Sequence, residues 1–255
     1  MDLGLNLENT HVLITGGSGY IGSVTVTALL SAGCLVTSLD IKPPVAPLTP
    51  SATHSPSRGS RFLFIHCDIS SETDVESAFN TASKTFGVVK CCIALGSLDL
   101  SVLEHHESMA DMTVEQWRRT HRVNVEGTFL TARMFLRQLR DHVATKLRGQ
   151  DSAANKMDNV SLIIIGSESG LFGERGNGDY AAGKSAVQGG LLRSLMSDIT
   201  RIWPRGRYVL RNRLLSSVLM MNRVNAVAPG PVDTVQFRRE IEENPLQLWL
   251  DAQAT

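Results

Sequence analysis

An excess of charge of either sign is missing from this chain, in which 25 lysines and arginines face 25 aspartates and glutamates. A balanced sequence carries no electrostatic footprint for nucleic acid or for an anionic membrane surface. No apolar run approaches the ~18 residues that a membrane-spanning helix needs. The first residues, with Asp2, Asn6 and Glu8, lack the basic start of a secretory signal. Cysteine is scarce, and Cys34, Cys67, Cys91 and Cys92 lie in or beside short apolar runs with no metal-type spacing. Buried free thiols in a reducing cytoplasm are therefore expected, and neither a metal site nor a disulfide framework. What remains is a chain of 255 residues, long enough for a single domain with a sizeable core.

Apolar runs and helical patterns alternate along it. His11–Thr15 reads as a strand, a glycine cluster follows, and Tyr20–Ala32 reads as a helix. Cys34–Leu39 is a second strand that ends at Asp40, and the Pro- and Ser-rich residues 42–60 read as a surface loop. Arg61–His66 is a third strand, and Ser71 with Asp74 caps a helix running to Phe86. Val88–Leu95 is a fourth strand that stops at Gly96, and Leu98–Met112 is irregular. Within that loop His105 and His106 are adjacent, so on extended chain they point opposite ways, which fits a substrate-side loop better than a metal site. Thr113 and Gln116 cap a long helix reaching Asp141, Val160–Ile165 is a fifth strand, and Gly166–Gly178 reads as glycine-rich loop. The next helix runs to Ile202, and Val224–Ala228 is a sixth strand before Pro229-Gly230-Pro231. The strands are continuous apolar runs separated by helices, which predicts a doubly wound α/β fold with one parallel sheet covered on both faces.

Two stretches carry chemistry. Gly16, Gly19 and Gly22, in Thr15-Gly16-Gly17-Ser18-Gly19-Tyr20-Ile21-Gly22, lie between the first strand and the first helix. Gly16 permits a tight turn, Gly19 lets backbone approach a pyrophosphate, and Gly22 lets helix pack on strand, with Ser18, Tyr20 and Ile21 completing the helix start. A dinucleotide site is expected there. Asp40, at the end of the second strand, is placed to bond the ribose hydroxyls of NAD(H) and repel the 2′-phosphate of NADP(H), although a turn residue before Pro43 is the competing reading. Asp68, with Ile69 beside it, is placed to reach adenine or to cap the following helix. In the second stretch, Asp179-Tyr180-Ala181-Ala182-Gly183-Lys184, Tyr180 and Lys184 stand four apart and share a helix face. An ammonium within a few Å favours the phenolate and brings a tyrosine of ordinary pKa ~10 into use as an acid or base.

These features, with Asn124 in Val123-Asn124-Val125-Glu126-Gly127-Thr128, Ser167, and Asn225-Ala226-Val227-Ala228-Pro229-Gly230-Pro231-Val232-Asp233-Thr234, resemble in their order the short-chain dehydrogenase/reductase family. The resemblance covers residues from about 8 to about 240 and implies a single-domain, NAD(P)-dependent oxidoreductase acting on a small alcohol or ketone. It implies that Tyr180 exchanges a proton with the substrate oxygen, that Ser167 orients that oxygen, and that Lys184 holds the nicotinamide ribose. Asn124 would anchor a water, Gly96 would let backbone approach the cofactor, and Pro229, Gly230, Val232 and Thr234 would hold the nicotinamide side. It further implies a homo-oligomer paired through the helices around Asn124 and Tyr180.

Four departures from the family pattern stand out. The glycine turn is that of sugar-nucleotide-modifying relatives, which makes an epimerase or dehydratase a second reading; a cofactor-binding protein without turnover is a third. The fourth strand ends Ala94-Leu95-Gly96 where the family has Asn-Ala-Gly, so hydrogen bonds tying the central strands are expected to be lost. Residues 208–223 are an insertion, read as a surface helix, a family-specific element or a translated short intron whose removal restores one arginine before Val224 in frame. The chain stops at Thr255, so residues 235–255 read as a truncated substrate lid, and the sixth strand is expected to be an exposed sheet edge. The Pro-rich loop and the insertion resemble those of fungal biosynthetic reductases.

Overall fold

The computed structural model of the chain describes residues 7–45, 59–148, 160–202, 223–230, 232 and 238, with backbone alone at 146–148. Its strands are β1 His11–Thr15, β2 Leu35–Asp40, β3 Phe62–His66, β4 Cys91–Ala94, β5 Ser161–Ile165 and β6 Arg223–Val227. The helices are α1 Tyr20–Ser31, α2 Glu72–Phe86, α3 Val114–His121, α4 Gly127–Arg148, α5 Ser169–Phe172, α6 Gly178–Ala186 and α7 Leu192–Ile202. All strand pairs are parallel, in the order β3-β2-β1-β4-β5-β6. This is the predicted doubly wound sheet, and its order reverses between β1 and β4, where such folds open a crevice at the strands' carboxyl ends.

Alternation along each strand divides the core into two layers. Leu13, Leu39, Leu162 and Ile164 face Val75, Phe79, Phe135, Leu195 and Ile199 from α2, α4 and α7. Val12, Ile14, Val36 and Phe62 turn the other way and pack with Val26 of α1. Burial on both faces is why the strands read as unbroken apolar runs. Among the described residues β6 is a sheet edge, and Val227 on it is half exposed.

The capped helices start where their caps stand: Ser71 accepts from the Asp74 N–H and Thr113 from the Gln116 N–H. Two boundaries differ from expectation in an informative way. Gly166–Gly178 is not all loop, because α5 makes one turn inside it. Each of the two long helices is broken by a π turn, at Arg122–Glu126 between α3 and α4 and at Val187–Leu191 between α6 and α7; such turns re-aim side chains and recur at functional sites. The missing strand-end amide is replaced in situ, since the Thr15 hydroxyl accepts from the N–H groups of both Leu95 (3.1 Å) and Gly96 (2.9 Å). Of the insertion read at 208–223, Arg223 is the first residue of β6 and residues 208–222 lie outside the described part, as do residues 239–255.

Candidate active site

Between β1 and α1 the glycines form a cradle closed to side chains. Gly16 has φ +70, and a Cβ on it would stand 2.8 Å from Gly96 Cα. A Cβ on Gly22 would collide with the Gly16 carbonyl and stand 2.7 Å from Gly17 Cα, so the helix and the turn before it touch backbone to backbone. Gly19 caps α1 with no side-chain hydrogen bond and no acidic residue in the first turn, so the helix presents its first N–H groups and positive end to an incoming anion. The Ser18 hydroxyl is buried there without a hydrogen-bond partner in the structure. Asp40 stands at the mouth, its two oxygens accepting from the N–H groups of Ser18 (2.9 Å) and Lys42 (3.0 Å). Backbone N–H groups and an orphaned hydroxyl that can donate, with a carboxylate at the next strand end that accepts, are a lining that would fit a dinucleotide. Asp68 turns toward its own loop, accepting from the Ser70 N–H and hydroxyl, while Ile69 is buried against Gly96 and Gly127 as a wall of the crevice. Tyr20 and Ile21 lie exposed at the start of α1.

Ser167, just past β5, and Tyr180 and Lys184, on α6, come together at the same end of the sheet, with Asn124 on the facing π turn; the first two are 8% exposed, the others less. Asn124 is no ordinary helix-surface residue. Its side chain accepts from the Leu98 N–H at 2.7 Å and donates to the Leu98 carbonyl at 2.9 Å, pinning the segment after β4. Its own carbonyl accepts from the Thr128 hydroxyl. Glycine again sets the spacing: a Cβ on Gly170 would stand 2.8 Å from the Lys184 carbonyl carbon, so α5 lies directly on α6. On the same face Gln188 Oε1 accepts from the Ser167 N–H at 2.8 Å.

The electrostatics depart from the expectation for the pair alone. Lys184 Nζ sits 5.5 Å above the centroid of the Tyr180 ring and donates to the Ile165 carbonyl (3.0 Å) and the Ser97 hydroxyl (3.4 Å). Burial pulls the Lys184 ammonium down from 10.5 to about 8, opposed by the Asp99 carboxylate. Burial also pushes the Tyr180 phenol above its ordinary value; a hydrogen bond with Ser167 opposes this, and the charges of Asp99 and Glu174 add to it. Desolvation therefore outweighs any help from the ammonium, and without cofactor Tyr180 rests as a phenol.

Pro229 and Gly230 reach this cluster from β6. The Pro229 carbonyl accepts from the Glu168 N–H at 3.1 Å, and Glu168 Oε2 lies 3.0 Å from where a Gly230 Cβ would stand. Val232 is partly buried, and Thr234 lies outside the described residues. The loop before α3 is tied down as well. His105 and His106 diverge, the first over Gly176 and 3.3 Å from Asn177 Oδ1, the second buried and 3.0 Å from Gln116 Oε1. Gln116 and Thr120 both donate to Asp179 Oδ2, at 3.3 and 2.6 Å. Asp179 is fully buried, next to Tyr180, and its Oδ1 has no hydrogen-bond partner in the structure. Ser97, Asp99, Ser169, Glu174, Asp179 and Gln188 were not singled out from the sequence. Only Asp179, adjacent to Tyr180, and Ser169, two residues past Ser167, carry even a positional hint. The four cysteines are free, as expected. Burial raises their thiols, Cys67 to about 12. Among the described residues no helix is long and apolar enough to cross a membrane.

A family model described as short chain dehydrogenase matches residues 10–202. The 2,5-dichloro-2,5-cyclohexadiene-1,4-diol dehydrogenase of Sphingobium indicum is 25% identical over 239 residues, 94% of this chain and 79% of that protein. The sorbitol-6-phosphate 2-dehydrogenase of Klebsiella pneumoniae is 26% identical over 253 residues, 95% of this chain and 77% of the relative. Among solved structures, a short-chain type dehydrogenase/reductase from Mycobacterium ulcerans superposes with TM-score 0.71 at 21% identity, covering 95% of this chain and 75% of that one. An NAD+-bound xylitol dehydrogenase gives TM-score 0.67 at 18% identity, with 93% and 76% covered.

Proposed function

We infer, from a chain that belongs to the short-chain dehydrogenase/reductase family and is an oxidoreductase of alcohol or ketone substrates, that Tyr180 is its acid/base group and NAD(H) its preferred cofactor. The observation that carries this reading is the buried convergence of Tyr180, Ser167 and Lys184 at the strand ends, beside the glycine cradle. The cofactor, when bound, supplies hydride transfer at its nicotinamide ring. The chain's own residues hold and aim the reactants. The α1 N-terminus and the Ser18 hydroxyl bind the diphosphate side, and Asp40 takes the adenosine ribose. Lys184 lies where it can turn from Ile165 and Ser97 to the nicotinamide ribose, while Pro229 and Gly230 hold the carboxamide side. Ser167 fixes the substrate oxygen against the Tyr180 hydroxyl.

Burial holds Tyr180 protonated, so its hydroxyl is available to donate a proton to a carbonyl oxygen, and the same group takes that proton back in the reverse reaction. General acid help of this kind contributes on the order of 10²–10⁴-fold.

Fluorescence titration with NADH and NADPH tests the cofactor assignment. NADH is expected to bind more tightly, by about tenfold or more, the factor that corresponds to ~1.4 kcal/mol. Asp40→Ala is expected to erase that preference, since a carboxylate no longer opposes the 2′-phosphate. Equal binding of both cofactors by the unaltered chain contradicts it.

A further inference from the structure

One side-chain amide joins the loop before α3 to the helix that carries Tyr180. Gln116 is the third residue of α3, where its N–H is taken by the Thr113 hydroxyl, and its side chain turns to the loop. Nε2 donates to the Glu104 carbonyl at 2.9 Å and to Asp179 Oδ2 at 3.3 Å. A carbonyl and a carboxylate only accept, so the amide cannot turn over without setting Oε1 against two oxygens. Oε1 is thereby left to accept from His106 Nε2 at 3.0 Å, which puts the proton of this buried ring on Nε2. The same loop lies directly on the turn before Tyr180. The Glu104 carbonyl accepts a second time, from Asn177 Nδ2 at 3.0 Å, and the His106 N–H donates to the Gly176 carbonyl at 3.0 Å. A Cβ on Gly176 would run into the His105 ring, and one on Gly178 into Met109 Sδ. At its start the segment meets Lys184, whose Nζ donates to the Ser97 hydroxyl at 3.4 Å. It therefore borders the buried cluster from Lys184 at one end to the turn into Tyr180 at the other.

Taking Tyr180 as the acid/base group, a reading on which this step rests, we propose that Gln116 is a positioning residue for substrate. Its amide holds Glu104 and His106 beside the turn into Tyr180, so that the loop stands as a preformed wall of the substrate mouth. A loop that is ordered only when its ligand arrives takes the ordering cost out of affinity. Here the three bonds of Gln116 order it during folding. Releasing them should weaken substrate binding while the proton-transferring group stays in place, because the shorter bond to Asp179, from Thr120 at 2.6 Å, does not involve Gln116.

The test compares the full chain with Q116M, H106L and H106Q during nicotinamide-linked turnover of a panel of small alcohols and ketones, with NADH binding followed by fluorescence. Q116M cuts all three bonds of the amide, H106L cuts the His106 bond alone, and H106Q returns a donor near the Nε2 position. KM is expected to rise by about tenfold in Q116M, with kcat changed by less than about threefold, the pattern of lost binding contacts. H106L should raise KM as well, and H106Q should stay near the parent. An unchanged KM in Q116M overturns the proposal, and so does an H106Q as impaired as H106L, which marks packing. A fall in kcat and in NADH-binding capacity at constant KM means lost folded protein and overturns it too. If the unaltered chain turns over nothing, the functional reading fails, and the preformed wall is judged by amide hydrogen exchange without cofactor. The His106 N–H, bonded to Gly176, should then exchange slowly in the unaltered chain and at least about tenfold faster in Q116M. Equal rates in the two proteins overturn it.

Discussion

Replacing Lys184 by methionine isolates the burial of its charge. In the folded chain this amine is 4% exposed and its pKa lies at about 8 rather than 10.5, chiefly through desolvation. In the unfolded chain it keeps its proton to about pH 10.4. Between these values the unfolded state binds the extra proton, so stability rises with pH across the window and is lowest below it. The slope approaches ~1.4 kcal/mol per pH unit at mid-window, and the whole gain is on the order of 3 kcal/mol. K184M has no proton to lose there, and burial raises Tyr180, the phenol beside the amine, above its ordinary value of ~10, so below about pH 10 the difference between the two curves reports Lys184. Near neutral pH the variant is freed of the charging penalty but leaves the Ile165 carbonyl without its donor, a cost of about 1–3 kcal/mol. The two proteins should therefore start near parity. Urea unfolding of both, without cofactor, from about pH 7 to about pH 10, is expected to show the parent gaining about 1 kcal/mol per pH unit over K184M above pH 8. Parallel curves refute the reasoning, because they mean that the Lys184 ammonium is not penalised by burial.

Two other perturbations follow from a contact that leaves no room and from the loss of a buried donor. A methyl at position 22 would meet the Gly16 carbonyl and Gly17 Cα, backbone that cannot rotate away. G22A should lose ~1–3 kcal/mol of stability and bind dinucleotide at least about tenfold more weakly, as read by thermal unfolding and by NADH fluorescence. T120V removes the 2.6 Å donor to Asp179 and leaves that buried carboxylate with Gln116. A cost of about 1.5–3 kcal/mol is expected, a fall in Tm of roughly 3–12 °C by calorimetry for a chain of this size, and a lower kcat, since Asp179, next to Tyr180, ties α6 to α3.

The sheet and the glycine cradle were legible because their signals are local and repetitive. Six apolar runs match six strands, and the turn from Gly16 to Gly22 is readable from spacing alone. The face shared by Tyr180 and Lys184 followed from helix geometry in the same way. The state of Tyr180 did not, because it depends on depth and on charges distant in sequence. Asp99 comes from the segment after β4 and Glu174 from the turn after α5, and with burial they reverse the shift that the pair by itself implies. Helix α5 escaped notice since four residues are too few to show a period. The π turns escaped it because one extra residue per turn barely disturbs an apolar stripe, yet one of them aims Asn124 at Leu98. Thr15 standing in for a strand-end amide is a spatial substitution, invisible without the register of β1 against β4.

The most direct test of Tyr180 as the acid/base group of a hydride-transferring site uses NADH deuterated at the transferring C4 position with a panel of small ketones and aldehydes, followed by mass spectrometry of the alcohols formed. The account predicts one deuterium in the product with the unaltered chain, and turnover reduced by about 10²-fold or more in Tyr180→Phe, with NADH still bound. Deuterium transfer at an undiminished rate in Tyr180→Phe would contradict it.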